Sequence, residues 1–376
     1  MRNLDKFRGC LLGGAAGDAL GYEVEFLSSK AILNRFGESG ITEYCLHNGV
    51  AEISDDTQMT LFTATGLLLG TTRGMNRGIM GSYENYIRSS YEDWLCTQTE
   101  PFPLSDNIFH YSWLINVPQL FSRRAPGNTC LSALRSGENG SIENPINRSK
   151  GCGGVMRVAP IGLYFCDKQL TISDSDKIGA KAAAITHGHT LGWLPAAALV
   201  HIIRRLAENE KETVLHAVLD SMEALKQNYA DVEHIDALLS LMQKAIDLSS
   251  SSLDDLDAIR SLGEGWVAEE TLAIAIYCAL KYPSDIEKAL IAAVNHDGDS
   301  DSTGAVTGNI LGASLGASRI PQKFIDHLEL REIISEVADD LWHDCQMTEY
   351  GDDSDPAWEA KYIHIRYPNE TRKASY

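Results

Sequence analysis

Two short acidic runs hold the residues whose types and spacing are best suited to chemistry. The first is SDDT at Ser54–Thr57, and the second is HDGDSDSTG at His296–Gly304. Hard divalent cations take their protein ligands from carboxylate and other oxygens. The two runs therefore suggest a site for hard cations.

The second run places Asp297, Asp299 and Asp301 at alternate positions. Three carboxylates close together on one turn cannot all stay ionised without a counter-charge, and a divalent cation would supply one. An EF-hand loop is excluded: counted from Asp297, its required glycine falls on Ser302 and its required glutamate on Gly308. The remaining alternative is an acidic surface turn that caps the next helix.

Taken alone, the first run is typical of an ordinary helix start, with Ser54 as the N-cap and two acids in the first turn. The two runs gain weight together, because each offers two aspartates beside a hydroxyl at a predicted helix start. Such paired sets suit two metal ions about 3.5–4 Å apart.

Two glycine series indicate how the runs could be brought together. Glycines occur at 9, 13, 17 and 21, and again at 304, 308, 312 and 316. Each interior glycine destabilises a helix by about 1 kcal/mol relative to alanine. Close approach of two helix backbones would compensate, although turns that break the segments are an alternative. If the two striped helices pack centrally, the loops holding Glu25 and Asp299 face one cavity.

Helical periodicity dominates the chain and predicts an all-α or mainly α fold. Ser54, Ser284 and Ser302 are candidate N-caps. Strand-like alternation is scarce, with Ile41–Cys45 and Tyr362–Arg366 the better candidates. The predicted helices are Leu4–Gly21, Asp55–Leu69, Ser82–Cys96, Ser175–Thr186, Leu194–Leu206, Glu212–Asn228, Val232–Leu248, Ala268–Lys281, Ser284–Val294, Ser302–Leu315 and Pro321–Trp342.

We expect one domain over residues 1–376, with an inserted loop region at about 97–151 and a polar C-terminal tail at about 349–376. The loop region lacks strong periodicity and contains several prolines. Long loops in compact domains are often functional or disordered.

Composition narrows the function classes. The chain has 32 Lys plus Arg against 52 Asp plus Glu, a formal charge of -20, which argues against a nucleic-acid partner. Its eight cysteines contain no CxxC pair, which argues against a zinc ribbon and fits a reducing compartment. No stretch approaches the roughly 20 apolar residues of a membrane span. We expect a cytoplasmic protein that makes no membrane contact.

Further segments complete a pattern beside the two acidic runs. They are GDALGYEVEF at Gly17–Phe26, VMRVAP at Val155–Pro160, THGH at Thr186–His189 and GEGWVAEE at Gly263–Glu270. With these segments the chain resembles the ADP-ribosylglycohydrolase family, which includes the dinitrogenase reductase-activating glycohydrolase. The resemblance runs from about Arg8 to Pro321.

The resemblance implies an orthogonal multi-helix all-α bundle with a central metal cleft that holds two Mg²⁺ (Mn²⁺ in some cases). It implies cleavage of the bond between ADP-ribose C1″ and a modified side chain, most often arginine. Glu25 matches a family glutamate near the substrate ribose, and either Asp55 or Asp56 would orient or activate water. The implied metal ligands are Ser54, Asp55, Asp56, Asp299, Asp301 and Ser302.

The chain departs from the family where an Asn-Gly pair often precedes the MR segment, since here it reads Cys152-Gly153-Gly154. A glycine-rich turn can still present backbone N–H groups to a pyrophosphate. We expect a packing role for Cys152 rather than a reactive one. The expected substrate-binding residues are Gly153, Gly154, Met156 and His187.

Other residues leave alternatives open. His189, like His187, could cap a helix or contact substrate, and Arg157 could reach phosphate or be structural. Asp18 is expected to be buried with a hydrogen-bond partner. Trp193 and Trp266 are expected in the core rather than as platforms for adenine.

The leading hypothesis is a hydrolase that removes ADP-ribose from arginine of a modified protein, with ADP-ribosylated protein or ADP-ribose as its partner. A second is hydrolysis of another ADP-ribose linkage, for example to serine. A third is a non-catalytic structural or binding relative, and a fourth is an immunity protein against an ADP-ribosylating toxin.

Overall fold

The computed structural model describes residues 2–105, 109–348, 350 and 352–366. Across these residues the chain forms sixteen α-helices, short 3₁₀ turns and isolated β-bridges, and no named strand. The all-α prediction is confirmed. In chain order, α1 to α16 are Leu4–Tyr22, Ser29–Phe36, Asp55–Arg77, Tyr83–Thr99, Asn128–Arg135, Ala159–Tyr164, Ile172–Ala184, Thr190–Glu208, Val214–Tyr229, Ile235–Ser249, Asp255–Leu262, Ala268–Lys281, Ile286–Val294, Ser300–Leu315, Arg331–His343 and Pro356–Tyr362.

Both strand predictions are wrong, because side-chain and helix-end hydrogen bonds satisfy these backbones instead of a neighbouring strand. Ile41 donates its N–H to Asn295 Oδ1 at 2.7 Å and accepts from Asn295 Nδ2 at 2.9 Å. Tyr362 ends α16, and the N–H groups of His364 and Arg366 return to helix carbonyls at 2.9 and 2.8 Å.

Several predicted boundaries shift for local reasons. Asp285 rather than Ser284 caps α13, so that helix begins at Ile286. The predicted helix Pro321–Trp342 is divided: a 3₁₀ turn follows Pro321, and Leu330 in the left-handed region (φ 57°) precedes α15. The region 97–151 is less irregular than expected, since α4 extends to Thr99 and α5 lies within it. Two 3₁₀ turns, Trp113–Asn116 and Pro118–Leu120, also lie within it.

The two glycine-striped helices, α1 and α14, pack directly against each other and run antiparallel. A methyl carbon placed on Gly13 would lie 2.5 Å from the carbonyl oxygen of Gly308, and one on Gly308 would fall on the carbonyl of Gly13. Gly9 opposes Gly312 in the same way, and Gly17 opposes Gly304. The interpretation of the stripes as a close backbone approach is confirmed. At these three glycine pairs, main-chain atoms of the partner helix occupy the space that a side chain would need.

The antiparallel arrangement places the C-terminal end of α1 beside the N-terminal end of α14. Gly21 faces the backbone of Ser300, so the loop carrying Glu25 lies against the turn carrying Asp299. Asn309 Nδ2 donates to the carbonyl of Cys10 at 2.8 Å and fixes the two helices against sliding. Among the described residues, none of the helices has both the length and the apolar character needed to cross a membrane.

Candidate active site

The first acidic run starts α3, and α1 holds its backbone in place. Ser54 is the N-cap, with Oγ accepting from the backbone N–H of Asp56 at 3.2 Å. The carboxylate of Asp18 accepts from the backbone N–H groups of Ser54 at 2.9 Å and of Thr57 at 3.0 Å. Asp18 is fully buried, as expected. It orients the turn that carries Asp55 and Asp56.

The second acidic run starts α14. Asp299, rather than Ser302, is the N-cap, and its Oδ1 accepts from the backbone N–H of Ser302 at 3.3 Å. Asp301 Oδ1 accepts from the same N–H at 2.9 Å. The side chains of Asp299, Asp301 and Ser302 are buried and line one cavity.

The side chain of Asp297 points away from this cavity. Its Oδ1 accepts from the backbone N–H of Ser29 at 2.7 Å, and its Oδ2 accepts from Arg260 Nε at 3.2 Å. Gly298 next to it has φ 131°, a conformation that non-glycine residues rarely adopt, and it turns the chain between the two directions. Thus two of the three alternate aspartates face the cavity, and the third forms an outer ion pair.

The two acidic runs meet in a cavity of about 580 Å³. Glu25, Asp55, Asp56, Asp299 and Asp301 all line it. Glu25, Asp299 and Asp301 each present an oxygen within 4.8 Å of the others. The expectation that both runs and Glu25 share one cavity is confirmed by the geometry.

The carboxylates of this cavity are buried, and each lies close enough to the others for their negative charges to repel. Burial, together with the charges of Asp301, Asp299 and neighbouring acids, raises the pKa of Glu25 to about 11. Burial is also the largest cause of the raised pKa values of Asp55, Asp56 and Asp299, with the charge of Asp301 second in each case. Concentrating this much negative charge is unfavourable unless a cation or protons are bound.

The donor set fits a hard cation. Glu25 Oε2 and Asp56 Oδ1 are buried and have no hydrogen-bond partner among the described residues. An unpaired buried polar atom is unfavourable. Glu25 also lies where oxygens of Asp299 and Asp301 converge within 4.8 Å. The carboxylates and the hydroxyl of Ser302 are oxygen donors, the type that Mg²⁺ and Mn²⁺ prefer.

Removal of divalent cations is expected to make stability depend on pH. Burial and the charge of Asp301 raise the pKa of Asp18 from 3.8 to about 7. The stability that its protonated form contributes is complete below 3.8 and is lost as pH rises through 7. In EDTA, the melting temperature should therefore be lower at about pH 8 than at about pH 5. At about 100 times its Kd, Mg²⁺ should add about 2.7 kcal/mol.

Thermal melts at the two pH values, with EDTA or with MgCl₂, provide the measurement. Equal melting temperatures in EDTA at both pH values, with no shift on adding Mg²⁺, would contradict this account of the acidic cavity.

Another wall of the cavity contains three of the four expected substrate-binding residues: Gly153, Met156 and His187 line the cavity. Burial, with the charge of Arg157, lowers the pKa of His187 to about 3, so its ring is neutral. A methyl carbon on Gly153 would lie 3.0 Å from His187 Cε1. A side chain at this position would therefore crowd the ring, and glycine leaves room for it.

Gly154 lies behind the wall rather than on it. A methyl carbon there would lie 2.5 Å from the carbonyl oxygen of Gly192, so the residue allows helix packing. Ser54 is likewise fully buried at the start of α3 and is not among the cavity-lining residues. A direct substrate contact for Gly154 and a metal contact for Ser54 stay predictions.

The loop before α5 closes one side of the cavity, and it contains none of the site residues predicted from the sequence. Residues 123 and 125–130 line the cavity. The backbone N–H of Asp55 donates to the carbonyl of Arg124 at 3.0 Å, and the N–H of Gly127 donates to Asp55 Oδ2 at 3.3 Å. The basic pair Arg123-Arg124 followed by Pro126-Gly127 was the available sequence signal.

Comparison with known proteins identifies the architecture. A family model described as ADP-ribosylglycohydrolase matches residues 1–351. The chain belongs to the ADP-ribosylglycohydrolase family. Membership assigns it to the hydrolases that act on ADP-ribose.

Individual relatives of this chain are distant in sequence. Human ADP-ribosylhydrolase ARH3 is 28% identical over 199 residues, and the alignment spans 47% of this chain and about half, 53%, of the human protein. The ADP-ribosyl-(dinitrogen reductase) glycohydrolase of Rhodospirillum rubrum is 25% identical over 333 residues, covering 87% of this chain and 91% of that protein. A solved ADP-ribosylglycohydrolase-related protein complex shares the fold, with a TM-score of 0.62 at 24% identity over 90% of this chain and 98% of that chain.

Arg157 is structural. It is fully buried, donates to the carbonyl of Ala182 at 3.1 Å and to Thr186 Oγ1 at 2.8 Å, and lies 4.4 Å from the centre of the Tyr91 ring. These contacts settle the alternative of a phosphate ligand in favour of packing beneath the wall. His189 is a cap: its Nδ1 accepts from the backbone N–H of Leu191 at 3.1 Å.

Cys152 has a polar partner that sequence reasoning missed. Its thiol donates to Asp299 Oδ2 at 2.8 Å, and the residue lines the cavity. The expected packing role therefore does not describe it fully. The signal was the departure of Cys152-Gly153-Gly154 from the Asn-Gly pair that the family resemblance leads one to expect.

Aromatic side chains at the cavity also differ from expectation. Trp193 is buried as expected, but Trp266 is 37% exposed and stacks on Phe26, which is 69% exposed, with ring centres 5.5 Å apart. Trp266 and Phe26 both line the cavity. Trp266 follows a turn in which Gly263 and Gly265 have positive φ, so this turn rather than helical periodicity sets its exposure.

Proposed function

We propose that this protein is a Mg²⁺-dependent hydrolase that releases ADP-ribose from modified proteins, with arginine as the modified side chain. The observation that carries the proposal is the meeting of two acidic helix starts in one cavity, with buried carboxylate oxygens left unpaired. A cavity of about 580 Å³ lies within the usual range for small-molecule sites.

The proposed ligands of two Mg²⁺ ions, or two Mn²⁺ ions, come from both acidic turns: Ser54, Asp55, Asp56, Asp299, Asp301 and Ser302. Bound cations would neutralise the acids, polarise ribose hydroxyls and lower the pKa of a water. This set is supported by the oxygen chemistry of the side chains and by the raised pKa values of Asp55, Asp56 and Asp299.

The chain's own groups would position the substrate. Glu25 presents an oxygen within 4.8 Å of oxygens of Asp299 and Asp301 and would accept a hydrogen bond from a ribose hydroxyl. Asp55 or Asp56 would orient the attacking water, with Asp56 Oδ1 free to accept its proton. The turn at Gly153 and the neutral ring of His187 would contact the pyrophosphate and its neighbouring ribose without adding charge.

The arginine linkage is supported by the surroundings of the opening. The stacked rings of Phe26 and Trp266 offer aromatic faces beside Glu25. A planar guanidinium packs well on aromatic faces and is attracted to negative charge. A seryl linkage would leave that aromatic surface unused.

The test is release of free ADP-ribose from proteins modified on arginine, serine or aspartate, each with Mg²⁺ or with EDTA. Release should be fastest from arginine and should stop in EDTA. Undiminished release in EDTA would refute the cation requirement, and faster release from serine or aspartate would refute the arginine linkage. No release from any of the three with Mg²⁺ present would count against the hydrolase itself.

A further inference from the structure

Arg124 connects three chain segments at the first acidic turn, although it is not one of the described residues that line the cavity. Its Nη1 forms an ion pair with Glu52 Oε2 at 2.5 Å, and its Nη2 donates to Glu329 Oε1 at 3.4 Å. The arginine side chain is 14% exposed. A planar guanidinium presents its N–H groups in a fixed fork, so one arginine can hold carboxylates from two different segments.

Glu329 and its neighbours fix the backbone that leads into the acidic turn. Glu329 Oε2 accepts from the backbone N–H of Ile53 at 3.1 Å. The N–H of Ala51 donates to the carbonyl of His327 at 2.8 Å, and the N–H of Glu329 donates to the carbonyl of Ala51 at 3.0 Å. These three hydrogen bonds attach the segment before Ser54 to the segment before α15.

The main chain of the loop that carries Arg124 holds Asp55 itself. The N–H groups in the first turn of an α-helix have no partner within the helix. The carbonyl of Arg124 accepts from the N–H of Asp55 at 3.0 Å, and the N–H of Gly127 donates to Asp55 Oδ2 at 3.3 Å. The position of the Asp55 carboxylate therefore depends on where this loop lies.

Glu52 and Glu329 would repel each other without the guanidinium between them. Burial raises the pKa of Glu329; the charge of Arg124 opposes this rise, and the charge of Glu52 adds to it. Like charges that share a partly buried site are unfavourable unless a cation or a proton compensates them. Loss of the Arg124 charge would therefore push these segments apart and release the loop that holds Asp55.

We propose that Arg124 is a positioning residue of the acidic cavity: by holding Glu52 and Glu329 together, it fixes the loop that orients Asp55 for cation binding. This inference rests on the proposed function, in which Asp55 is a Mg²⁺ ligand. Arg124 acts through Asp55 and does not touch the cation. Loss of an outer partner of a metal ligand typically lowers metal affinity or activity 10–100-fold.

Calorimetric titration of the cation-stripped full-length protein with Mg²⁺ tests this role without any turnover. Arg124→Gln should weaken Mg²⁺ binding at least about tenfold. Arg124→Lys keeps the charge but not the fork, so its affinity should fall between those of Arg124→Gln and the wild type. The Mg²⁺ concentration that half-saturates ADP-ribose release should rise in parallel. Wild-type Mg²⁺ affinity in Arg124→Gln overturns the proposal.

Arg205→Gln is the matched control, because Arg205 also bridges two acids but is not one of the described residues that line the cavity. Arg205 contacts Glu212 Oε2 at 2.9 Å and Asp220 Oδ2 at 3.2 Å. The control should lower the melting temperature and leave the Mg²⁺ affinity unchanged. An equal loss of Mg²⁺ affinity in the Arg205 and Arg124 variants would reduce Arg124 to a general contributor to stability and overturn the positioning role.

Glu52→Gln guards against failure of Arg124→Gln to fold, since it removes one ion pair and keeps the contact between Arg124 and Glu329. Hydrogen exchange of the backbone N–H groups of Asp55 and Gly127, followed by mass spectrometry, should be faster in this variant than in the wild type. Its Mg²⁺ binding should also be weaker. An unchanged value in either measurement would contradict the proposal.

The outcomes distinguish the positioning role from the proposed hydrolase. Weaker Mg²⁺ binding in Arg124→Gln, without ADP-ribose release by the wild type, would refute the hydrolase and retain the positioning role. Release with the Mg²⁺ dependence of the wild type in Arg124→Gln would refute the positioning role alone. Absence of Mg²⁺ binding by the wild type would refute both.

Discussion

Asp301→Asn is expected to reduce ADP-ribose release by more than about 100-fold and to weaken Mg²⁺ binding in parallel. Loss of even an outer partner of a metal ligand typically lowers affinity or activity 10–100-fold, and a direct ligand should matter more. The charge of Asp301 contributes to the raised pKa values of Asp18, Glu25 and Asp55, which places it at the electrostatic centre of the cavity. Asparagine keeps the shape and the acceptor for the backbone N–H of Ser302.

Asp297→Asn is the matched control, because Asp297 belongs to the same acidic run but faces Ser29 and Arg260. Its ion pair is between partly exposed side chains and is worth about 1 kcal/mol or less. The measurements are ADP-ribose release and Mg²⁺ titration by calorimetry on both variants. Wild-type turnover in Asp301→Asn, or an equal loss in Asp297→Asn, would contradict the assignment of the inward aspartates.

The positions of the two acidic turns could be predicted because they depend on regular helices. Glycines at every fourth position mark one face of a helix. Because interior glycines destabilise a helix, their retention implied a compensating contact, which the structure shows between α1 and α14. That contact alone places Glu25 beside Asp299. The residue-by-residue ligand set came from family resemblance, because helix periodicity cannot distinguish an acid that caps a helix from one that binds a cation.

The features that were missed depend on irregular backbone. Asp297 and Asp299 are two positions apart, yet they point to opposite sides because Gly298 adopts φ 131°. Trp266 reaches the cavity through a glycine turn, and the loop before α5 closes the cavity through hydrogen bonds of its backbone to Asp55. The course of the backbone in such turns and loops depends on tertiary contacts rather than on residue type. The wrong strand at Ile41–Cys45 has the same cause, since the distant Asn295 satisfies its backbone.

Gly308→Ala is expected to destabilise the fold by about 3 kcal/mol or more, although alanine is the better helix former by about 1 kcal/mol. The added carbon would fall on the carbonyl of Gly13, a main-chain atom that cannot move aside by changing rotamer. The α1 and α14 backbones must therefore separate. Because α1 carries Asp18 and leads to Glu25, ADP-ribose release should fall together with stability.

Gly74→Ala separates this backbone clash from the general effect of replacing a helical glycine. Gly74 lies in α3, and its added carbon would lie 3.2 Å from Met80 Cβ. Met80 is exposed and belongs to the non-helical connection between α3 and α4, which can shift. Its stability should change by less than about 1 kcal/mol, and helix propensity favours a gain. Urea unfolding midpoints compare the two variants. Equal midpoints would mean that the seam between α1 and α14 can open at little expense, and the convergence of Glu25 with Asp299 would then need another cause.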